Sequence, residues 1–236
     1  MVGSARRSAG QLELPIEVGQ LAGVLPRRFA PMLAGRGEAP FDDPGWFFEP
    51  WWPGARCFAS IESGRLRLQV DHLADALATF PELRVICDQV RSDGVVLDGT
   101  LMVLDDQGRP DTDLLRRRLA DPDERRGEGA FVASDLLWAG GDDLRSLAFG
   151  TRRARLLAVL RDGDRCVVGR GLHVEGLTLA DAAASMGLEA VSARRLDGRW
   201  RAGIAADDWL RLPVVRAQVT DGRPILVLLQ RLPLDS

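Results

Sequence analysis

The chain has 236 residues, a formal net charge of −3 and a hydrophobic fraction of 46%, which are ordinary values for a globular protein that buries a full core. The net charge gives no overall electrostatic argument for nucleic acid, although 31 cationic side chains leave room for a local basic groove. None of these cations is lysine. Because arginine stays protonated and cannot act as an amine nucleophile, mechanisms that need a reactive lysine are excluded from these residues.

The cysteine and histidine content argues against metal and disulfide chemistry. Cys57, Cys87 and Cys166 are far apart and form no CxxC pair, which is typical of reduced thiols in a cytoplasmic protein. The two histidines, His72 and His173, are too few for a histidine-rich metal site. No signal peptide or membrane contact is expected, since the apolar run PILVLLQRLPL near the end is too short to span a bilayer.

Turn signals divide the chain into short strands with helices between them. The predicted strands are Ala55–Glu62, Arg65–Val70, Gly94–Asp105 with a break at Asp98-Gly99, Ala130–Trp138, Leu188–Leu196, Asp208–Val215 and Ile225–Leu232. The predicted helices are Asp71–Phe80, Asp111–Leu119, Phe149–Leu160 and Thr178–Met186, the last capped by Thr178 and ended by Gly187. This order predicts an α+β fold with mostly antiparallel sheets and helices packed outside.

Charged residues within these elements have simple structural interpretations. The arginine runs Arg116–Arg118 and Arg152-Arg153 predict solvated helix faces, although such a face can also touch a phosphate backbone. Asp98 is interpreted as a turn residue.

The segment FFEPWWPGARCF, residues 47–58, places Trp51 and Trp52 directly before a Pro-Gly turn. The favoured interpretation is packing of the indoles into a core or groove, worth roughly 2–3 kcal/mol for each covered ring. The alternative is that one indole stacks on a base. Both interpretations stay open at the level of sequence.

The order and spacing of several segments resemble the adenylation domain of ATP-dependent DNA ligases, especially the bacterial repair ligases. The segments are PMLA, WFFEPWWPGARCFA, VVLDGTLMVLDDQGRPD, FVASDLLWAGGDDLRSLAFGTRRARLL, GLEAVSARRLDGRWRAG and DDWLRL, spread over residues 26–213. The resemblance implies a ligase- and capping-enzyme-like nucleotidyltransferase fold over residues 26–215. It also implies a flexible N-terminal segment at 1–25 and a C-terminal strand extension at 216–236, without the oligonucleotide-binding barrel of ligases.

The resemblance also assigns site residues, position by position. The lysine that attacks ATP in the family corresponds to Trp51, so no catalytic residue is expected, and Ser134 stands where the family has an aromatic that stacks on adenine. The remaining positions of this vestigial nucleotide cleft are Glu49 for the adenine amino group, Arg56 for the sugar, Thr100 in place of the ribose acid, Glu189 for the metal-linked acid, and Arg194 and Arg211 in place of two phosphate-binding lysines.

Together these changes predict a catalytically inactive, ligase-like module related to DNA repair. Its expected partners are a nucleotide, nicked or duplex DNA, or a DNA-repair protein, and ATP with Mg²⁺ is expected only if the cleft is open. Whether Glu49 and Glu189 still contact a ligand stays open. The alternative is an active nucleotidyltransferase or ligase-type enzyme that acts with a partner or uses another nucleophile, Cys57 or His72. The apolar neighbours of Cys57 argue against it, because they raise a thiol pKa.

Overall fold

The computed structural model describes residues 25–121, 123–205 and 207–214. All of the predicted segment 1–25 except Leu25, and the predicted strand Ile225–Leu232, lie outside the described residues. The strands are β1 (Met32–Leu33), β2 (Gly35–Arg36), β3 (Asp43–Pro50), β4 (Ala55–Glu62), β5 (Arg65–Val70), β6 (Val95–Leu104), β7 (Glu128–Ala139), β8 (Asp142–Asp143), β9 (Cys166–Val168), β10 (Leu172–Val174), β11 (Ala190–Arg195), β12 (Gly203–Ile204) and β13 (Trp209–Pro213). The helices are α1 (Ala76–Thr79), α2 (Ile86–Gln89), α3 (Thr112–Ala120), α4 (Phe149–Val159) and α5 (Gly176–Ser185), with a 3₁₀ turn at Pro81–Val85.

Two larger sheets organise the described part of the chain. One has the strand order β10-β3-β11-β13-β2, and the other has the order β5-β4-β6-β7-β8 with β9 beside β7. Most neighbouring strands are antiparallel, while β13–β2, β7–β9 and the small β1–β12 pair are parallel. The predicted α+β class with mostly antiparallel sheets is therefore confirmed.

The hairpin of β4 and β5 follows directly from its sequence. Apolar and polar residues alternate along β5, and its Leu66, Leu68 and Val70 are buried. Ser63 and Gly64 form the two-residue turn with φ values of 51° and 70°, as a primed hairpin turn requires. Both predicted strand boundaries are confirmed.

The predicted helix Asp71–Phe80 is wrong in its first half. His72 has a φ of 63°, which a right-handed helix cannot contain, and α1 begins only after Asp75, whose side chain caps it by accepting from the Ala78 amide. The predicted cap of α5 is also wrong. Thr178 lies inside the helix, and the Asp42 side chain accepts from the Leu177 amide instead.

The predicted break at Asp98-Gly99 is wrong, because β6 runs through both residues. The pairing of β6 with β7 changes register between them, so the irregularity is a bulge and not a chain break. A side chain at Gly99 would collide with the backbone of β7, which explains the glycine. The bulge keeps Asp98 within the sheet, where it is fully buried.

The two larger sheets face each other across a shared apolar core. Val132 and Met102 from one sheet pack in the same buried cluster as Phe48 and Val191 from the other, with Leu179 of α5 alongside. At one edge of this core, residues of β3, β4, β6, β7, β11 and β13 border an open cleft. Among the described residues, no helix has the length and apolar character needed to cross a bilayer.

Candidate functional site: a cleft between the two sheets

The cleft holds a cavity of about 260 Å³ between the two sheets. Six of the eight site positions that the resemblance assigned line it, which are Glu49, Trp51, Arg56, Thr100, Ser134 and Arg194. The other two, Glu189 and Arg211, line an adjoining cavity of about 360 Å³. Trp51, Trp52 and Gly54 line both cavities, so the tryptophan pair stands at their boundary.

Trp51 and Trp52 have different environments. Trp51 is half-buried, and its ring centroid lies 5.9 Å from that of Trp209. Trp52 is 5% exposed and belongs to the core between the sheets, yet its indole Nε1–H has no hydrogen-bond partner. The favoured interpretation of packing fits Trp52, whereas Trp51 keeps part of its ring at the cavity surface.

Arg56 is held in place by Asp98 of β6. Its guanidinium pairs with Asp98, which also accepts a hydrogen bond of 3.1 Å from the indole N–H of Trp200. The same guanidinium lies 4.7 Å from the centre of the Trp209 ring. Asp98 is therefore a buried positioning residue, and its interpretation as a turn residue is wrong. Thr100 lies opposite Arg56 in the strand register.

Glu49 sits at the inner end of the cleft and is 3% exposed. Its carboxylate accepts a hydrogen bond of 3.2 Å from Arg153, and Arg194 approaches it at 4.0 Å. Arg153 in turn donates to the Gly169 carbonyl at 2.6 Å and lies over the Phe47 ring at 3.9 Å. Glu49 is thus engaged by the protein itself.

Arg194 is also paired with a neighbouring carboxylate. It donates to Asp135 at 3.1 Å, and Asp135 is bound by two bonds of 2.8 Å from Arg152. Burial lowers the pKa of Arg194 despite the attraction of Asp135 and Glu49. Its Nε–H has no hydrogen-bond partner. We name this cluster, Glu49, Asp135, Arg152, Arg153 and Arg194, the inner ion network.

The prediction of solvated arginine faces is wrong at three positions. Arg152 and Arg153 are 1% and 4% exposed, and Arg118 is 2% exposed. Arg118 binds the Glu82 carboxylate at 2.8 Å, and its guanidinium lies 4.4 Å from the centre of the Phe80 ring. A guanidinium can be buried in this way when its charge and donors are matched by carboxylates and carbonyls.

The outer end of the cleft is more open. Arg211 and Glu189 have exposed side-chain fractions of 39% and 61%, and their charged groups are 3.8 Å apart. The Arg211 guanidinium lies 5.5 Å from the centre of the Trp51 ring. The parallel register of β13 and β2 places Arg36, which is exposed, opposite Arg211.

Neither alternative nucleophile is favoured by its position. Cys57 is fully buried, and burial, with the nearby Asp98 charge adding to it, raises the pKa of its thiol. His72 does not line either cavity.

The two adjoining cavities differ in volume, at about 260 and 360 Å³. The inner cavity lies below the ~300–1,000 Å³ of typical small-molecule sites. In the described ranges no group of three or more His, Cys, Asp or Glu side chains is placed to hold a metal ion.

Sequence reasoning missed Asp135 and Trp209 as parts of the site. The signal for Asp135 was available, because a lone carboxylate within the apolar strand FVASDLLW needs a buried cation. Trp209 had no such signal. Its role depends on Arg194 and Arg56, whose guanidiniums lie 4.2 and 4.7 Å from the centre of its ring.

The fold and the cleft define the class of the domain, which is the nucleotidyltransferase domain of ATP-dependent DNA ligases. The ligase domain of LigD from M. tuberculosis superposes with a TM-score of 0.63 at 29% identity, over 77% of this chain and 58% of that chain. A mycobacterial DNA ligase D solved as a complex with ATP and MES gives the same TM-score and identity, over 78% of this chain and 60% of that chain.

The sequence comparison agrees with the structural one. The chain is 35% identical over 191 residues to the multifunctional non-homologous end joining protein LigD of Pseudomonas aeruginosa, covering 80% of this chain and 22% of that protein. It therefore spans about a fifth to a quarter of the length of such relatives. No protein-family model matches the chain. The chain is homologous to the ligase domain of LigD.

Proposed function

We propose that this chain is a ligase-like domain that has lost nucleotidyl transfer and acts as a DNA-binding module in DNA repair. The proposal rests on the position of Trp51. It stands at the position that the resemblance assigns to the attacking lysine, it lines the cleft, and none of the 236 residues is lysine. An indole has no amine with which to attack a phosphate.

The inner ion network supports the loss of transfer. Glu49, which the resemblance assigns to adenine recognition, is engaged by Arg153, while Arg194 is bound to Asp135. A ligand that bound the Glu49 carboxylate or the Arg194 guanidinium would leave their present partners as unpaired buried charges, which costs free energy. We propose that Glu49 and Arg194 now stabilise the fold of this cleft.

DNA is the proposed partner because of the relatives and the outer arginines. The relatives are named as end-joining proteins and DNA ligases. Arg211 offers a guanidinium group at the open end of the cleft, the exposed Arg36 lies opposite it in the strand register, and the forked geometry of arginine suits phosphate. We propose that residues 26–215 form this domain. We also propose a cytoplasmic location, since its three cysteines are free thiols.

The loss of transfer is tested by incubating the protein with ATP labelled at the α-phosphate and with Mg²⁺, and then separating it under denaturing conditions. The expected result is no labelled protein band, with an active DNA ligase as positive control. A covalent nucleotide adduct on any residue would overturn the proposal.

DNA binding is tested by titrating a labelled nicked duplex at low and at moderate salt. We expect saturable binding whose affinity falls as salt rises, because arginine–phosphate contacts release counterions. Arg211→Ala should weaken binding, whereas Arg116→Ala, which removes an exposed arginine outside both cavities, should not. The DNA part of the proposal fails if nothing binds at low salt.

A further inference from the structure

Four exposed arginines lie together at the outer strand β5, outside both cavities of the cleft. They are Arg27 and Arg28, which precede β1, and Arg65 and Arg67 of β5. The Arg67 guanidinium donates to the Pro26 carbonyl at 3.1 Å, so it lies against the peptide unit that joins Pro26 to Arg27. Arg65 lies two residues before Arg67, on the same face of the strand. We name Arg27, Arg28, Arg65 and Arg67 the arginine patch.

The backbone that carries Arg27 and Arg28 is anchored at the next residue. Phe29 is 4% exposed, and its ring centroid lies 5.5 Å from that of Phe58. The Gln69 side chain accepts from the Phe29 amide at 2.9 Å and donates to the Phe29 carbonyl at 2.7 Å. Because this segment is already held in place, a partner that binds its arginines loses less free energy to ordering the chain.

The charges of the patch are not neutralised by the described residues. Within those ranges, none of its four guanidiniums forms an ion pair. Glu62 lies opposite Arg65 in the strand register, so Arg27, Arg28 and Arg67 are the cations farther from an acid of the hairpin. Other exposed arginines, such as Arg116, pair with a carboxylate a few residues away. A group of like charges without counter-charges indicates a surface for a polyanion.

The layout of the patch favours paired DNA among polyanions. Its arginines are spread along an extended segment and a strand and do not converge on either cavity, which suits a backbone with repeated charges. Duplex DNA carries one phosphate for every ~1.7 Å of its axis. Phe29 and Phe58, the rings beneath the patch, are both buried, so they offer no face on which an unpaired base could stack.

The patch is also close to the cleft. The Phe58 ring, which contacts Phe29, lies 5.8 Å from the Arg56 guanidinium, and Arg56 lines the inner cavity. We propose that the arginine patch binds the phosphate backbone of paired DNA beside the cleft, without reading its sequence. This inference rests on the proposed DNA-binding function and adds a contact outside the cleft.

The test follows a labelled nicked duplex by fluorescence anisotropy over a series of salt concentrations, with wild type and the double variant Arg27→Ala/Arg28→Ala. Each arginine–phosphate contact contributes about 0.9 to the slope of log affinity against log salt, so the double variant should have a slope smaller by about 1.8. Raising the salt from about 50 to about 200 mM should therefore weaken wild-type binding about tenfold more than binding by the variant.

Two further double variants separate the patch from general effects of charge and folding. Arg116→Ala/Arg117→Ala removes the same number of charges from the exposed side of α3 and should leave the salt slope unchanged. Arg27→Lys/Arg28→Lys keeps both charges and should keep most of the slope, because an ammonium group also binds phosphate as a point charge. Unfolding midpoints identify any variant that is not folded, and the lysine variant then distinguishes a lost charge from a disturbed segment.

The outcomes separate this inference from the proposed function. Equal slopes for wild type and Arg27→Ala/Arg28→Ala overturn the inference, while DNA binding stands if Arg211→Ala still weakens it. Equal losses in the two alanine double variants would show an effect of net charge alone and also overturn it.

Three other results bear on the partner. No binding by the wild type at low salt removes the proposed function and the inference together. A single strand of equal length that binds as tightly as the duplex would overturn the assignment to paired DNA. Displacement of the duplex by polyglutamate at an equal concentration of charges would show that the patch takes an acidic polypeptide, which overturns the inference as well.

Discussion

The two ends of the cleft differ in how their charges are used. At the inner end, Glu49, Asp135 and Arg194 are 5% exposed or less and bind each other or neighbouring arginines. At the outer end, Glu189 and Arg211 stay largely open to solvent beside the half-buried Trp51. The same residue types therefore stabilise the fold at one end and remain accessible to a partner at the other.

The strongest test of this contrast is Asp135→Ala. It would leave Arg152 and Arg194 buried without their carboxylate, so we expect the free energy of unfolding to fall by about 3–5 kcal/mol. Urea unfolding followed by tryptophan fluorescence measures the change. Asp143→Ala, which breaks the exposed pair with Arg145, is the matched control, with an expected loss of about 0–1 kcal/mol. If both variants lost similar amounts of unfolding free energy, the buried ion pairs would not be what stabilises the inner end of the cleft.

The same substitution at two glutamates compares the ends directly. Glu49→Gln removes the charge that faces Arg153 and Arg194, and should lower the free energy of unfolding by about 1–3 kcal/mol. Glu189→Gln, at the outer end, should change it by no more than about 0.5 kcal/mol. Equal stability of the two variants would show that Glu49 is not structural, and urea unfolding again decides.

A smaller difference in stability is expected between substitutions at two tryptophans. Trp209→Phe removes a hydrogen bond to Ser192, whereas Trp52→Phe removes an N–H that has no partner. In the absence of DNA, Trp209→Phe should therefore be the more destabilising by about 0.5–1.5 kcal/mol. Thermal unfolding of both variants measures the difference. The reverse order would show that the Trp52 N–H is satisfied within the protein.

Local signals predicted much of the fold. The β4–β5 hairpin follows from its alternating residues and the Ser-Gly turn, and α3 follows from the Asp111 cap, whose side chain accepts from the Asp113 and Leu114 amides. Errors arose where a distant residue decides the local structure. Asp42 caps α5 from 135 positions away, and no pattern near Thr178 could reveal it.

The site was predicted less completely than the fold, for a related reason. The positions that the resemblance assigned line one or other of the two cavities, but the sequence did not reveal how their side chains pair. Whether Arg152 is solvated or buried depends on Asp135, 17 residues earlier on another element, and helical periodicity alone does not contain that contact.

The proposal at the centre of this account is that the inner end of the cleft stabilises the fold and does not bind ATP. Isothermal titration of the wild-type protein with ATP and Mg²⁺ tests it most directly, with Glu49→Gln titrated in parallel below its unfolding temperature. We predict no saturable heat for either protein. Saturable binding of ATP to the wild type that Glu49→Gln abolishes would show that Glu49 still recognises the nucleotide, and would contradict this account.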